Sequence, residues 1–168
     1  MDKNKYPDRR PTRLKEYDYS SNGAYFITVC THNRRHILSD VTVNDVGEGL
    51  CALPQIKLSA LGKIVNDCIN HINTYPFVKV DSYIIMPDHL HLLISINAPG
   101  GHGGPPLQHI IQQFKSYSTH KAKNKIWQRS FYDHIVRNES DLIDINNYIQ
   151  ANPIMWYLNK HDDSNYLR

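Results

Sequence analysis

The sequence predicts an α+β fold, an antiparallel sheet with helices packed on one face. Three observations carry this expectation. Segments rich in β-branched and aromatic residues alternate with segments of helical periodicity. Two central strand segments meet at a tight Pro87-Asp88 connection, which joins antiparallel neighbours. The chain has 168 residues and no internal repeat, which suits one domain spanning 1–168.

The elements follow in order. Residues 1–22 are polar and basic, contain Pro7 and Pro11, and read as extended or loop-like. Tyr25 to Thr31 reads as a buried strand, because Ile, Val, Thr and aromatic side chains suit a pleated surface. Residues 32–48 read as a polar connection, and 49–57 as a segment holding a short strand, weakened by Pro54. Leu61, Ile64, Val65, Cys68, Ile69 and Ile72 form one apolar helical face, with Ser59 as N-cap and Pro76 beyond the end. Val78–Met86 and His89–Ile96 read as strands.

The Gly-Pro stretch 97–106 has neither a GK[ST] ending nor a G-x-G-x-x-G register. It reads as a loop, not a phosphate cradle. Leu107, Ile110, Ile111, Phe114 and Tyr117 mark a second helix, and Tyr132–Val136 a short strand. A third helix runs from near Ser140 to Asn152, where Pro153 is expected to end it.

Apolar residues make up 40% of the chain, enough for one core. No uncharged apolar run is long enough to span a membrane, and the first residues lack the apolar region of a secretory signal. A cytoplasmic location is the expectation. Cys30, Cys51 and Cys68 show no CxxC spacing and read as core thiols. The net charge of +3 does not by itself identify a nucleic-acid partner. Its distribution says more. Arg9, Arg10, Arg13 and Lys15 cluster near the start, Arg34 and Arg35 follow the first strand, and Lys115, Lys121, Lys123, Lys125 and Arg129 form a third group. Interleaved tyrosines and Trp127 offer faces on which bases stack. Each basic group taken alone also fits a solvated surface.

His89-Leu90-His91 is the sharpest local feature. Residues at i and i+2 share one face of a strand, so both imidazoles reach a single metal ion while Leu90 points to the core. Imidazole serves several transition metals, so the pair does not select one. Tyr148 and Asn152 lie four apart and share a helix face. The Asn152 amide oxygen can complete a site begun by the histidines, with the phenol one turn away as a nucleophile toward phosphorus. A packed core edge for Tyr148 and a helix-end cap for Asn152 are the plainer alternatives. Asp88 is a further ligand, an outer partner of the site, or a turn former.

Residues 83–94, containing Met-Pro-Asp-His-Leu-His, resemble the "MPNHVHLL" signature of the REP-associated tyrosine transposases, relatives of the small single-tyrosine transposases of insertion sequences. Residues 25–34, 127–139 (Trp-Gln-Arg-Ser-Phe-Tyr-Asp-His) and 148–153 (Tyr-Ile-Gln-Ala-Asn-Pro) resemble three more blocks of that family, in order, over about residues 9–157. The resemblance implies a ferredoxin-like fold with an HUH site. His89, His91 and Asn152 would be metal ligands for Mg²⁺ or Mn²⁺, and Tyr148 the nucleophile. The implied reaction is cleavage and rejoining of single-stranded DNA, often near a hairpin, through a 5′-phosphotyrosine. Arg9, Arg10 and Arg13, with Arg34, Lys115 and Arg129, would contact DNA, and the protein would act as a monomer or homodimer. Asp88 departs from the motif's usual Asn, and the glycine-rich loop 99–104 stands as an insertion of open role. A DNA-hairpin-binding protein without catalysis and a hydrolase using water are the competing readings.

Overall fold

The computed structural model describes residues 17–43, 53–99 and 106–161. Six strands and three helices follow one another as β1 (Gly23–Cys30), β2 (Ser39–Thr42), β3 (Gln55–Leu58), α1 (Ala60–Ile72), β4 (Val78–Ile85), β5 (His89–Ile96), α2 (Leu107–Ala122), β6 (Tyr132–Val136) and α3 (Glu139–His161). The main sheet has the order β4-β5-β1-β6, every neighbour antiparallel. With β2 and β3 set aside, the order β-α-β-β-α-β with β5 between β1 and β4 is the ferredoxin-like arrangement. The added β2–β3 hairpin is a separate two-stranded sheet.

The apolar alternation of the strands divides the molecule into two faces. Tyr25, Ile27 and Val29 of β1 and Leu90, Leu92, Ile94 and Ile96 of β5 point to one side, where Val65, Cys68, Ile69 and Ile72 of α1 and Leu107, Ile110, Ile111 and Phe114 of α2 cover them. Full burial of each such aliphatic side chain contributes about 1.5–3 kcal/mol. Leu93 of β5 and Phe26 of β1 point to the other side, against Leu142, Ile145 and Ile149 of α3. Helices on one face therefore describes α1 and α2. The third helix covers the opposite face, over part of the sheet only.

Local chemistry explains the boundaries. Ser59 caps α1 as expected, its Oγ accepting from the Gly62 N–H at 2.9 Å and donating to the Ile37 carbonyl at 2.7 Å. Gly62 permits that docking, because a Cβ there would lie 1.9 Å from the Leu38 carbonyl oxygen. Gly62→Ala is expected to cost about 3 kcal/mol or more. At roughly 2–4 °C per kcal/mol, thermal unfolding by circular dichroism should drop by about 6–12 °C. An unchanged Tm would mean that α1 does not rest on Leu38.

On α2, Tyr117 is 38% exposed, although the periodicity places it on the core face. Ser118 is the buried neighbour, its hydroxyl accepting from Trp127 Nε1 at 2.8 Å. The expected end of α3 at Asn152 is incorrect: the helix continues through Pro153 to His161. Proline removes one backbone hydrogen bond, at a cost of about 3 kcal/mol. Beyond it Trp156 packs against His36 and His89, with ring centroids 5.1 and 6.0 Å away, which offsets part of that loss. The connection expected across 32–48 holds a short turn at His32–Arg34 and strand β2. Cys30 and Cys68 are buried free thiols, as expected. Arg9, Arg10, Arg13, Cys51 and the glycines at 100–104 lie outside the described residues.

Candidate active site

The open half of the α3 face carries the chemistry. Strand register sets Ile84, His91, Thr28 and Tyr132 side by side across four strands, with His89 two residues along β5. Above them α3 leaves the apolar contacts of Ile145 and Ile149 and presents Tyr148 and Asn152. Thr28, Arg34, His89, His91, Tyr148, Asn152 and Trp156 all line one open pocket of about 510 Å³. His89, His91, Tyr148 and Asn152, far apart in the chain, are thus brought together, and within one chain. The His89 and His91 ring centroids are 4.6 Å apart, and Tyr148 lies 5.2 Å from His91. Phe26 stacks on His91 at 5.0 Å and meets Tyr148 edge-on at 5.9 Å, so it seats both rings.

Each histidine is held from behind. His89 Nδ1 donates to Asp88 Oδ1 at 2.6 Å, while Asp88 Oδ2 accepts from Arg34 Nε at 2.8 Å. The Asp88 backbone oxygen in turn accepts from the Thr31 N–H and hydroxyl. Asp88 therefore lies behind His89 and orients the ring while its backbone oxygen ties the connection to Thr31. With Nδ1 committed to Asp88, the other ring nitrogen of His89 is left for the side that lines the pocket, where Asn152 lies in contact. His91 Nδ1 meets the Thr28 hydroxyl at 2.9 Å, and its Nε2 is buried without a hydrogen-bond partner. Asn152 is buried, its Nδ2 donating to the Tyr148 carbonyl at 3.3 Å, and its side chain contacts His89.

Burial keeps both imidazoles neutral. It pushes His89 below the usual histidine value despite the opposing pull of Asp88. It pushes His91 down to about 3, and a proton there would also compete with protonation of the adjacent His89 and be repelled by the Arg34 guanidinium. Two imidazoles side by side in the neutral form, one with an unpartnered nitrogen, could serve as donors to a cation. Among the described residues no cluster of three His, Cys, Asp or Glu occurs, and the polar side chain that lines the pocket beside the two histidines on α3 is the Asn152 amide.

Arg34 reaches the site from a left-handed pair, with φ of 57° at Asn33 and 53° at Arg34. It also donates from Nη1 to Cys30 Sγ at 2.9 Å. Lys115 and Arg129 are elsewhere. They line a separate cavity of about 310 Å³ beside α2, with Gln108, Gln112 and Phe131. The Lys115 ammonium donates to the carbonyls of Gln128, Arg129 and Ser130 at 2.5, 3.0 and 3.3 Å, and so orders the segment before β6. Sequence reasoning missed Tyr132, Met155, Trp156 and Asn159, which also line the histidine pocket. The signal existed: Tyr148, Asn152, Met155 and Asn159 continue one helical stripe. The rule that proline ends a helix hid it.

The chain that forms this sheet and its covering helix belongs to a class of DNA-processing proteins, the transposases. Residues 19–152 match the family described as IS200-like transposase, and the chain belongs to that family. It is 34% identical over 171 residues to a Haemophilus influenzae protein without an assigned function, covering 88% of this chain and 89% of that one. It is 26% identical to the REP-associated tyrosine transposase of Escherichia coli, covering 81% and 69% of the two chains. The structure of a REP-associated tyrosine transposase bound to a REP hairpin superposes with a TM-score of 0.62 at 19% identity, covering 85% of this chain and 73% of that one. That likeness confirms the fold. Among the described residues, no helix is long and apolar enough to cross a membrane.

Proposed function

We propose that this chain is a metal-dependent single-stranded DNA endonuclease and strand transferase, with Tyr148 as nucleophile. The observation that carries the reading is the convergence of the Tyr148 phenol on two neutral imidazoles, one with a buried and unpartnered Nε2. An orphaned buried nitrogen costs about 1–3 kcal/mol, and a cation relieves it. The two imidazoles do not by themselves select an ion, and Mg²⁺ or Mn²⁺ is the choice that the family resemblance implies. His89, His91 and Asn152 are all neutral, so the charge of a divalent ion stays available to an anion. Bound there, the ion supplies Lewis-acid polarisation of a phosphoryl oxygen.

The residues then do the following. Asp88 and Thr28 fix the two rings. Phe26 and His91 hold the tyrosine ring against the site. The Tyr148 oxygen attacks phosphorus, the P–O3′ bond breaks, and the phenolic proton is delivered to O3′. This leaves a 5′-phosphotyrosine and a free 3′-hydroxyl. A second strand's 3′-hydroxyl reverses the step, returning the proton to Tyr148, and rejoins DNA without an external energy source. Arg34, half-exposed and pinned through Nε by Asp88, leaves its remaining guanidinium donors for a phosphate. Unpaired or hairpin DNA is the substrate class, as in the REP hairpin complex of the structural neighbour. The 5.2 Å between Tyr148 and His91 of the same chain supports a site assembled within one protomer. The test is a denaturation-resistant protein–DNA adduct formed from single-stranded DNA in Mg²⁺ or Mn²⁺. Strand binding with no adduct and no cleavage would favour a binding protein instead.

The outer shell makes its own prediction. Asp88→Ala frees the His89 ring and removes the carboxylate partner of Arg34. It is expected to weaken Mn²⁺ affinity, measured by calorimetry, about 10–100-fold. Asp88→Asn keeps one of the two acceptors and should fall between. Unchanged Mn²⁺ affinity in Asp88→Ala would remove Asp88 from the site.

A further inference from the structure

We infer that the part of α3 beyond Pro153 forms, with Tyr132, a subsite that stacks one unpaired nucleobase beside the candidate catalytic pocket. The inference rests on the reading of that pocket as a site for single-stranded DNA. It adds which part of the strand is gripped and by which residues.

Four observations carry it. First, the pocket is larger than the chemistry needs. His89, His91, Tyr148 and Asn152 account for part of its lining, and Met155, Trp156, Asn159 and Tyr132 line the rest of its 510 Å³. Second, the lining is unusually apolar for an exposed surface: Tyr132 is 62% exposed and Met155 53%. Large exposed apolar side chains gathered in one pocket mark a binding site better than the same residues scattered. Third, charge selects the occupant. The described lining includes Arg34 and no aspartate or glutamate. Aromatic faces for a π-system, an amide for base edges and a cation for phosphate together match a nucleotide of an unpaired strand. A paired base has its faces covered by its neighbours and would not enter. Fourth, Met155, Trp156 and Asn159 lie on the part of α3 that continues past Pro153, a residue that ordinarily ends a helix, so the helix extension itself builds this wall of the pocket.

Trp156 is the centre of the subsite. It is anchored by His36 and His89, with ring centroids 5.1 and 6.0 Å away, so it is seated before any ligand arrives. Seating an aromatic in advance lowers the ordering cost of binding. Contact with His89 also places the stacked base next to one of the two rings of the candidate catalytic pocket.

The experiment uses the full chain and a fluorescein-labelled twelve-residue thymidine strand in EDTA, so that binding is read without cleavage. The chain has two tryptophans. Trp127 is buried, its Nε1 donating to Ser118, and serves as an internal reference. Saturating single strand should quench the Trp156 emission, and an equal concentration of the thymidine–adenosine duplex should quench it far less. Trp156→Ala should weaken anisotropy-measured affinity about fivefold to a hundredfold. Its slope of log affinity against log salt should match wild type, because stacking releases no counterions. Trp156→Phe should stay within about threefold. Unquenched emission on saturated binding, equal quenching by duplex, or Trp156→Ala affinity equal to wild type would each overturn the subsite. Should Trp156→Ala fail to fold, the wild-type quench and Trp156→Phe still decide. The two readings fail separately. Loss of the subsite leaves the Tyr148 adduct in place, and loss of the tyrosine mechanism leaves the EDTA quench in place.

Discussion

His91→Ala is expected to lower DNA cleavage by about a thousandfold or more while leaving single-strand affinity within about threefold of wild type. The imidazole is the best-defined donor in the pocket: buried, neutral, and carrying an Nε2 without a protein partner. Removing it leaves one imidazole and one amide, too few neutral donors to hold a divalent ion firmly. Affinity for DNA is governed mainly by cation–phosphate contacts, to which a neutral ring contributes little. Cleavage on denaturing gels and binding by anisotropy read the two quantities separately. His91 also stacks on Phe26 at 5.0 Å. A parallel loss of affinity and thermal stability would therefore show that the ring is a packing element rather than a ligand.

Tyr148→Phe is expected to have an effect at least as large, with no covalent adduct and cleavage reduced by about a thousandfold or more. The substitution removes one oxygen and keeps the ring, so the edge contacts with Phe26 and His91 persist. Tyr148 is 52% exposed, and among the described residues its hydroxyl makes no hydrogen bond. Stability should be unchanged within about 0.5 kcal/mol. Cleavage that survives in Tyr148→Phe would make water the nucleophile and the protein a metal-dependent hydrolase.

Much of this was legible because it is local. The Leu61–Ile72 periodicity, the Ser59 cap and the tight Pro87-Asp88 connection are short-range patterns, and the structure follows them. His89 and His91 share a face because strand geometry requires it, and Tyr148 and Asn152 because helix geometry does. What local patterns cannot carry is the meeting of β5 with α3, which needs the fold. The four-block resemblance supplied that expectation, and the family match agrees with it.

The misses are non-local. Arg34 reaches Asp88 only because a left-handed turn after β1 sits beside the β4–β5 connection. Strand β2 exists through pairing with β3, across a connection that no periodicity links. Helix α3 escapes a single-face reading because its first half faces an apolar sheet and its second half faces a polar pocket. Pro153 conceals the same helix, since tertiary contacts of Trp156 outweigh a local breaker.

The central claim is that Tyr148, beside His89 and His91, becomes joined to the 5′ end of a cleaved strand. The most direct measurement is mass spectrometry of the proteolysed adduct formed on single-stranded DNA in Mn²⁺. The account predicts a single modified peptide that carries a 5′-phosphonucleotide on Tyr148 and disappears in both His91→Ala and Tyr148→Phe. A nucleotide found on another residue, or efficient cleavage with no modified peptide at all, would contradict it.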